Sequence, residues 1–158
     1  LGFSEKPAGK KEWFMAVHPE CSPKQLDLPG TMEAAERLCG ELLQEAVRKG
    51  FGEEDVFAIH LALEEAFVNA IQHGNQGDPS KKIHVEYTVT PERFEIAIAD
   101  EGPGFHPEAL PDPRQPENLY KCSGRGVLLI RSFMDQVQYN AKGNQVRMVK
   151  FKSPAKAS

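Results

Sequence analysis

Apolar residues recur at three- and four-residue spacing in parts of this chain and alternate with polar ones in others, which separates helices from strands. Thr31 can cap a helix whose apolar stripe falls at Ala35, Leu38, Leu42 and Ala46, with Lys49 in the last turn and Gly50 just beyond. A second helix is predicted over 54–73, with Val56, Ile59, Leu63, Phe67 and Ala70 on one face. Leu61 and Val68 add a further apolar patch, so this helix should be covered on more than one side. Ile83, Val85, Tyr87 and Val89 alternate within 82–90, and Phe94, Ile96 and Ile98 alternate after Pro91, predicting two antiparallel strands joined by a tight turn. The remaining pattern predicts a helix over 126–134 and a closing hairpin, 137–141 and 146–151, turned by Gly143 and Asn144. Near the start, residues 11–17 gather Trp13, Phe14 and Val17, and a second extended piece covers 24–28; together they read as an edge hairpin.

Helices interspersed among strands that pair as hairpins give an α+β fold, a two-layer sandwich with helices on one face of a mixed, mostly antiparallel sheet. The domain is expected over 11–152, with a loose polar tail at 1–10 and a short tail at 153–158. The stretch 101–123 holds Pro103, Pro107, Pro111, Pro113 and Pro116 and is longer than ordinary connections. Segments of this kind are functional or disordered.

At 158 residues and 40% hydrophobic content the chain has the size of one domain, able to bury roughly 68 to 70% of its unfolded surface without disulfide or metal staples. Its net charge of -4, with no Lys/Arg cluster, lacks the electrostatic footprint of a nucleic-acid partner. No apolar run reaches the ~18 residues of a membrane span and the first 30 residues carry no signal pattern, so a cytoplasmic protein without a membrane partner is expected. Cys21, Cys39 and Cys122 are odd in number, far apart and without C-x-x-C spacing, and are expected to be reduced structural thiols.

Three motifs carry candidate chemistry. Glu65, Asn69 and His73 follow each other at i, i+4 opposite the core stripe, beside Ala58 and Ala62, which suits either a pocket wall or a solvated helix face. Asp100-Glu101-Gly102-Pro103-Gly104 directly follows an apolar strand. Its glycines permit close backbone approach and its Asp can accept from an amine edge, although a capped turn has the same signature. Ser123-Gly124-Arg125-Gly126 opens the last predicted helix, where free N–H groups, the helix dipole and a guanidinium suit an anion; a flexible helix start reads alike. No G-x-x-x-x-G-K-[ST] loop, Rossmann fingerprint or eukaryotic-type kinase set occurs.

The order E-x-x-x-N-A-x-x-H-G on a helix, D-x-G-x-G after a strand, a Pro-rich loop and then G-x-G opening a helix resembles the Bergerat-type ATP-binding fold of gyrase, Hsp90, histidine kinases and MutL. Residues 63–78 with the later Ser-Gly-Arg-Gly-Val most resemble the stand-alone anti-sigma-factor serine/threonine kinases of bacteria, and the resemblance covers roughly 12–152. It implies Glu65 as general base and Asn69 as magnesium ligand. His73 and Gly74 complete that box, and Asp100 would bind the adenine amino group, with Gly102 and Gly104 beside the base. Residues 105–123 would form the ATP lid, and Gly124, Arg125 and Gly126 would cradle the phosphates. The implied cofactors are ATP and Mg2+. Many members carry Gly-Thr ahead of the last strand, whereas this chain has Gly143-Asn144-Gln145, so a hydroxyl that would face the nucleotide is replaced by an amide able to donate.

The resemblance thus implies an ATP-dependent protein serine/threonine kinase that sequesters a sigma factor and phosphorylates a small antagonist protein. A nucleotide-binding partner switch with little or no catalysis is the alternative, which the Asn144-Gln145 replacement favours and Glu65 opposes. A histidine kinase core fits poorly, because no helix pair bearing an acceptor His precedes the site and His18 sits in an extended, Pro-bounded segment. His60, His84 and His106 read as surface or core-edge residues. Family members commonly dimerise, and the edge segment 11–17 could serve a homodimer.

Overall fold

The structure is a computed structural model in which residues 22–104 and 122–154 are described. Strand β1 (Lys24–Pro29) leads to helices α1 (Met32–Arg48) and α2 (Glu53–Val68), and a π-helical turn (Asn69–Gly74) extends α2. Strands β2 (Lys82–Val89) and β3 (Arg93–Ala99), helix α3 (Cys122–Phe133) and strands β4 (Gln136–Tyr139) and β5 (Gln145–Phe151) follow. The sheet order is β1-β2-β3-β5-β4, and every described pair is antiparallel. The predicted α+β sandwich is therefore the architecture observed.

Register aligns the apolar alternations into rows. Leu26 faces Val85 and Val85 faces Ile98, which faces Val146, which faces Tyr139. One row along, Tyr87, Ile96, Met148 and Val137 line up in the same way. A slip of one residue on any strand would turn its row to the opposite face, so burial fixes the register. The helices cover these rows, and Phe67, Leu42, Ile59, Leu63, Ile83, Phe94, Ile96, Ile98, Ile130 and Met148 form the fully enclosed centre of the core.

Helix α1 begins and ends where its signals place it. The Thr31 hydroxyl accepts from the Ala34 N–H at 3.3 Å, and Gly50 leaves the helix at φ +93°. Its predicted stripe is buried throughout. The Cys39 thiol lies in that buried face, and burial pushes its pKa up to about 12, so it is protonated and inert at neutral pH. Helix α2 packs against α1 on one side and α3 on the other. Ala58, Ala62 and Ala66, spaced by four, are all buried. The double-sided cover expected of this helix is thus present.

Two boundaries differ from the sequence prediction. The α-helix predicted to run to residue 73 gives way at Asn69 to a wider turn, in which the Asn75 N–H reaches back five residues to the Ala70 carbonyl at 2.8 Å. A periodicity argument assumes 3.6 residues per turn throughout and is blind to this change. Helix α3 starts at Cys122, so Gly124, Arg125 and Gly126 belong to its first turns instead of preceding it. The predicted strand 11–17, Cys21 and most of the predicted lid lie outside the described residues. Among the described residues no helix is long and apolar enough to cross a membrane.

The second face of the sheet carries an ionic network. Arg93 pairs with Glu95, Arg147 Nη2 stands 3.5 Å from Glu86 Oε2, and Gln25 Nε2 donates to Glu86 Oε1 at 2.6 Å. Glu95 is wholly buried, and desolvation pushes its pKa up to about 7 against the opposing pull of Arg93 and Arg147.

Candidate functional site

One cleft opens where the end of α2 and its π-helical turn meet the ends of β3 and β5. Its apolar walls come from Ala66, Ala70, Ile98, Ile130, Tyr139 and Val146, and its polar groups from Asn69, His73, Asp100, Asn144 and Gln145. Gly74, Gly104 and Gly143 supply bare backbone at the margin. Asn69, His73, Asp100 and Gly104, distant in sequence, are thereby brought to one cavity. The π-helical turn contributes to this meeting, because it carries Asn69, His73 and Gly74 on a widened backbone; such turns recur at functional sites.

Asp100 is held from several directions. Its own Oδ1 accepts the Gly102 N–H at 2.8 Å, closing a tight turn. Its backbone N–H donates to the Asn144 carbonyl at 2.9 Å, and Asn144 Nδ2 donates to the Asp100 carbonyl at 3.3 Å. Desolvation is the largest influence on the carboxyl and raises its pKa, while the Gly102 N–H opposes that shift. A partly desolvated carboxylate beside an apolar cleft is a strong acceptor for a donor on a flat, apolar ligand.

The glycines of this segment permit close approach within the protein itself. A Cβ at Gly102 would fall on the Gly74 carbonyl, and a Cβ at Gly74 would strike the Asp100 carboxylate. At Gly104 it would meet the Lys142 carbonyl, and φ there is +85°. The required close approach is therefore between segments of the protein: the turn after α2, the D-x-G-x-G segment and the β4–β5 turn. Gly102 is buried and stands behind Asp100 instead of lining the cleft.

Sequence reasoning assigned nothing to Asn75, which is completely buried at the exit of the π-helical turn. Its Oδ1 accepts the Glu101 N–H at 2.8 Å and its Nδ2 donates to the Lys82 carbonyl at 3.2 Å, tying the turn to the Asp100 segment and to the start of β2. The signal available was its place in His-Gly-Asn, next to the motif. Glu101 is further anchored by the Lys82 N–H at 2.9 Å and by His84 Nε2 at 3.0 Å, and His84 Nδ1 meets Asp27 Oδ1 at 2.7 Å. Two carboxylates against one imidazole raise the His84 pKa, Asp27 contributing most.

Glu65 is half-buried on α2, one turn before Asn69, and is not among the residues lining the cleft. Gly124, Arg125 and Gly126 lie in α3, whose later residue Ile130 forms part of the wall. Among the described residues no cluster of three His, Cys, Asp or Glu could enclose a metal ion. A magnesium ion there would take its ligands from Asn69 and from the oxygens of a bound phosphate, a donor set suited to that ion.

Comparison with known proteins shows the family and the fold. The family model of the histidine kinase-like ATPase domain matches residues 28–150. The serine-protein kinase RsbW of Listeria monocytogenes is 29% identical over 113 residues, which cover 67% of this chain and 72% of the relative. The RsbW of Bacillus licheniformis is 31% identical over 113 residues, 67% of this chain and 71% of its own length. An anti-sigma F factor from Oceanobacillus iheyensis is 32% identical over 110 residues, 65% of this chain and 74% of its own length. The crystal structure of the RsbU and RsbW domains of Rv1364c from Mycobacterium tuberculosis shares the fold, with a TM-score of 0.56 at 17% identity. That match covers 84% of this chain and 33% of the larger one.

Proposed function

Because the chain belongs to the histidine kinase-like ATPase domain family, with the RsbW serine-protein kinases among its relatives, we propose that it is an ATP-dependent protein serine/threonine kinase acting as an anti-sigma factor. Its phosphoacceptor on this reading is a small antagonist protein that competes with the sigma factor. The observation that carries the proposal is one apolar cleft that gathers Asn69, His73 and the Asp100 carboxylate, the last accepting the Gly102 N–H while Asn144 holds its backbone.

On this reading each residue has a defined task. Asp100 accepts from the amino group of adenine, and the apolar walls receive the faces of the ring. Asn69 holds magnesium through its amide oxygen, and the ion, when bound, neutralises charge on the phosphates during transfer. The first turns of α3, which hold Gly124, Arg125 and Gly126, offer the free N–H groups of the helix start and the Arg125 guanidinium to phosphate oxygens. Glu65 removes the proton from the attacking seryl or threonyl hydroxyl.

Two observations favour the alternative of a nucleotide-dependent partner switch with little catalysis. Glu65 stands outside the cleft lining, and the Asn144 amide is turned toward Asp100. Titration calorimetry with ATP and GTP tests the shared part of both readings: ATP should bind and GTP should not, because guanine presents an acceptor oxygen to Asp100. Equal affinities would refute the assignment. Phosphate transfer from ATP to a co-purified antagonist separates kinase from switch.

A further inference from the structure

Asn144 stands where the resemblance calls for a hydroxyl facing the nucleotide, and its polar groups are engaged with the protein. Its Oδ1 accepts from Asn140 Nδ2 at 2.8 Å and its Nδ2 donates to the Asp100 carbonyl. Its backbone N–H donates to Asn140 Oδ1 at 3.0 Å and its carbonyl accepts from the Asp100 N–H. Asn140 is itself the knot of the β4–β5 turn. Besides Asn144, its Oδ1 accepts the N–H groups of Gly143 and Gln145 at 2.8 and 3.2 Å. The turn is therefore built as a rigid abutment, and Gly104 packs with bare backbone against its Lys142 carbonyl.

We propose that Asn144, braced by Asn140, is a positioning residue that sets the place of the Asp100 carboxylate in the cleft and thereby the discrimination between adenine and guanine nucleotides. The proposal rests on the reading of Asp100 as the adenine acceptor. A hydrogen bond discriminates only when its acceptor is held at a fixed distance and angle, and the weaker the hold, the more easily a carboxylate swings away from a mismatched carbonyl. Asp100 directly follows β3, and its backbone N–H and carbonyl are both bonded to Asn144 of the neighbouring turn. Asn144 meets both polar groups of the Asp100 backbone, the N–H through its main-chain carbonyl and the carbonyl through its side-chain amide. The amide carries its acceptor and its donor on two separate atoms, Oδ1 toward Asn140 and Nδ2 toward Asp100, whereas a threonine hydroxyl has both on one oxygen.

The test is a double-mutant cycle on the full chain, using ATP and GTP as titrants and thermal unfolding as a control. Asn144→Ala should weaken ATP about three- to tenfold, the effect of one neutral hydrogen bond, and narrow the ATP-to-GTP ratio. In an Asp100→Asn background the same change should cost less than about twofold, since residues in one network are not additive. Asn144→Asp keeps the size and the acceptor for Asn140 but loses the donor to Asp100, and should reproduce the loss if Asn144→Ala folds poorly. A merely structural role would lower the unfolding temperature without changing the ratio of the two nucleotides. If Asp100→Asn weakens ATP while Asn144→Ala and Asn144→Asp leave the ratio intact, or if the losses simply add, this inference is overturned and the Asp100 reading stands. If Asp100→Asn itself leaves ATP binding unchanged, the Asp100 reading fails and this inference falls with it.

Discussion

Replacing Asn75 with alanine should loosen the site from behind without touching the cleft. The substitution removes an acceptor from the Glu101 N–H and a donor from the Lys82 carbonyl, bonds of 2.8 and 3.2 Å. A buried polar group left without its partner costs about 1 to 3 kcal/mol. Glu101 and Lys82 are exposed residues that water can reach, and the second bond is long, so the sum belongs near the lower end, about 2 to 3 kcal/mol including the lost packing. For a domain of this size that corresponds to a fall in unfolding temperature of roughly 4 to 12 °C. Denaturant unfolding would measure it, with an unchanged m-value showing that the two states compared are the same. Nucleotide affinity should fall as well, since Asn75 joins the π-helical turn to the segment bearing Asp100. Asn75→Asp supplies an internal check. At neutral pH its second oxygen would confront the Lys82 carbonyl, and protonation would turn it into a donor. A carboxyl whose folded pKa is raised stabilises below its unfolded pKa and loses that contribution as pH rises through the folded value, so this variant should regain stability on acidification. A loss below about 0.5 kcal/mol in Asn75→Ala, with full nucleotide affinity, would refute the reasoning.

Other expectations follow from single contacts. Asp100→Asn should weaken ATP by about 1.5 to 3 kcal/mol, the range for a charge-assisted hydrogen bond, read by calorimetry. Gly102→Ala places a methyl on the Gly74 carbonyl, a backbone group that cannot swing aside, and should destabilise by about 1 to 3 kcal/mol in thermal or denaturant unfolding. Glu95 has its folded pKa raised by burial from 4.5 to about 7, so its contribution is fully present below pH 4.5 and is lost as pH climbs through 7; Glu95→Gln should flatten the stability profile in that window. His84 is raised above 6.5, chiefly by Asp27, so its stabilising contacts are present below 6.5 and fade as pH passes the folded value; the chemical shift of its ring protons should titrate above 6.5 and return toward it in Asp27→Asn.

The framework of this molecule was legible because its patterns are strong. The stripe of α1 is buried at its predicted period, the Thr31 cap forms, and the apolar alternations of β2, β3 and β5 align in register. Asp100 and Asn69 stood out through the order of the three motifs along the chain, and the fold brings both to one cleft. The π-helical turn was not legible, since its hydrogen bonds shift by one residue while the apolar positions continue as before. Nor was the service of Gly74 and Gly102, because spacing reveals that a glycine is tolerated and not what it approaches. Asn75 and Asn144 act through backbone groups distant in sequence, Asn75 on Glu101 26 positions away and Asn144 on Asp100 44 positions away. Such pairings exist only once the fold brings the segments together.

The central claim is phosphoryl transfer, and Glu65 is where it is most exposed to test. On the proposed reading its carboxylate, one turn before Asn69, takes a proton from the acceptor hydroxyl. Purified protein should move the γ-phosphate of ATP to a serine or threonine of a co-purified antagonist, detected by mass spectrometry of the antagonist. Glu65→Gln should cut that rate by roughly 10²-fold or more while ATP affinity and partner binding stay near the wild-type values. A wild-type protein that binds ATP and its partners but transfers no phosphate, or a Glu65→Gln variant that transfers it at the wild-type rate, would contradict the account.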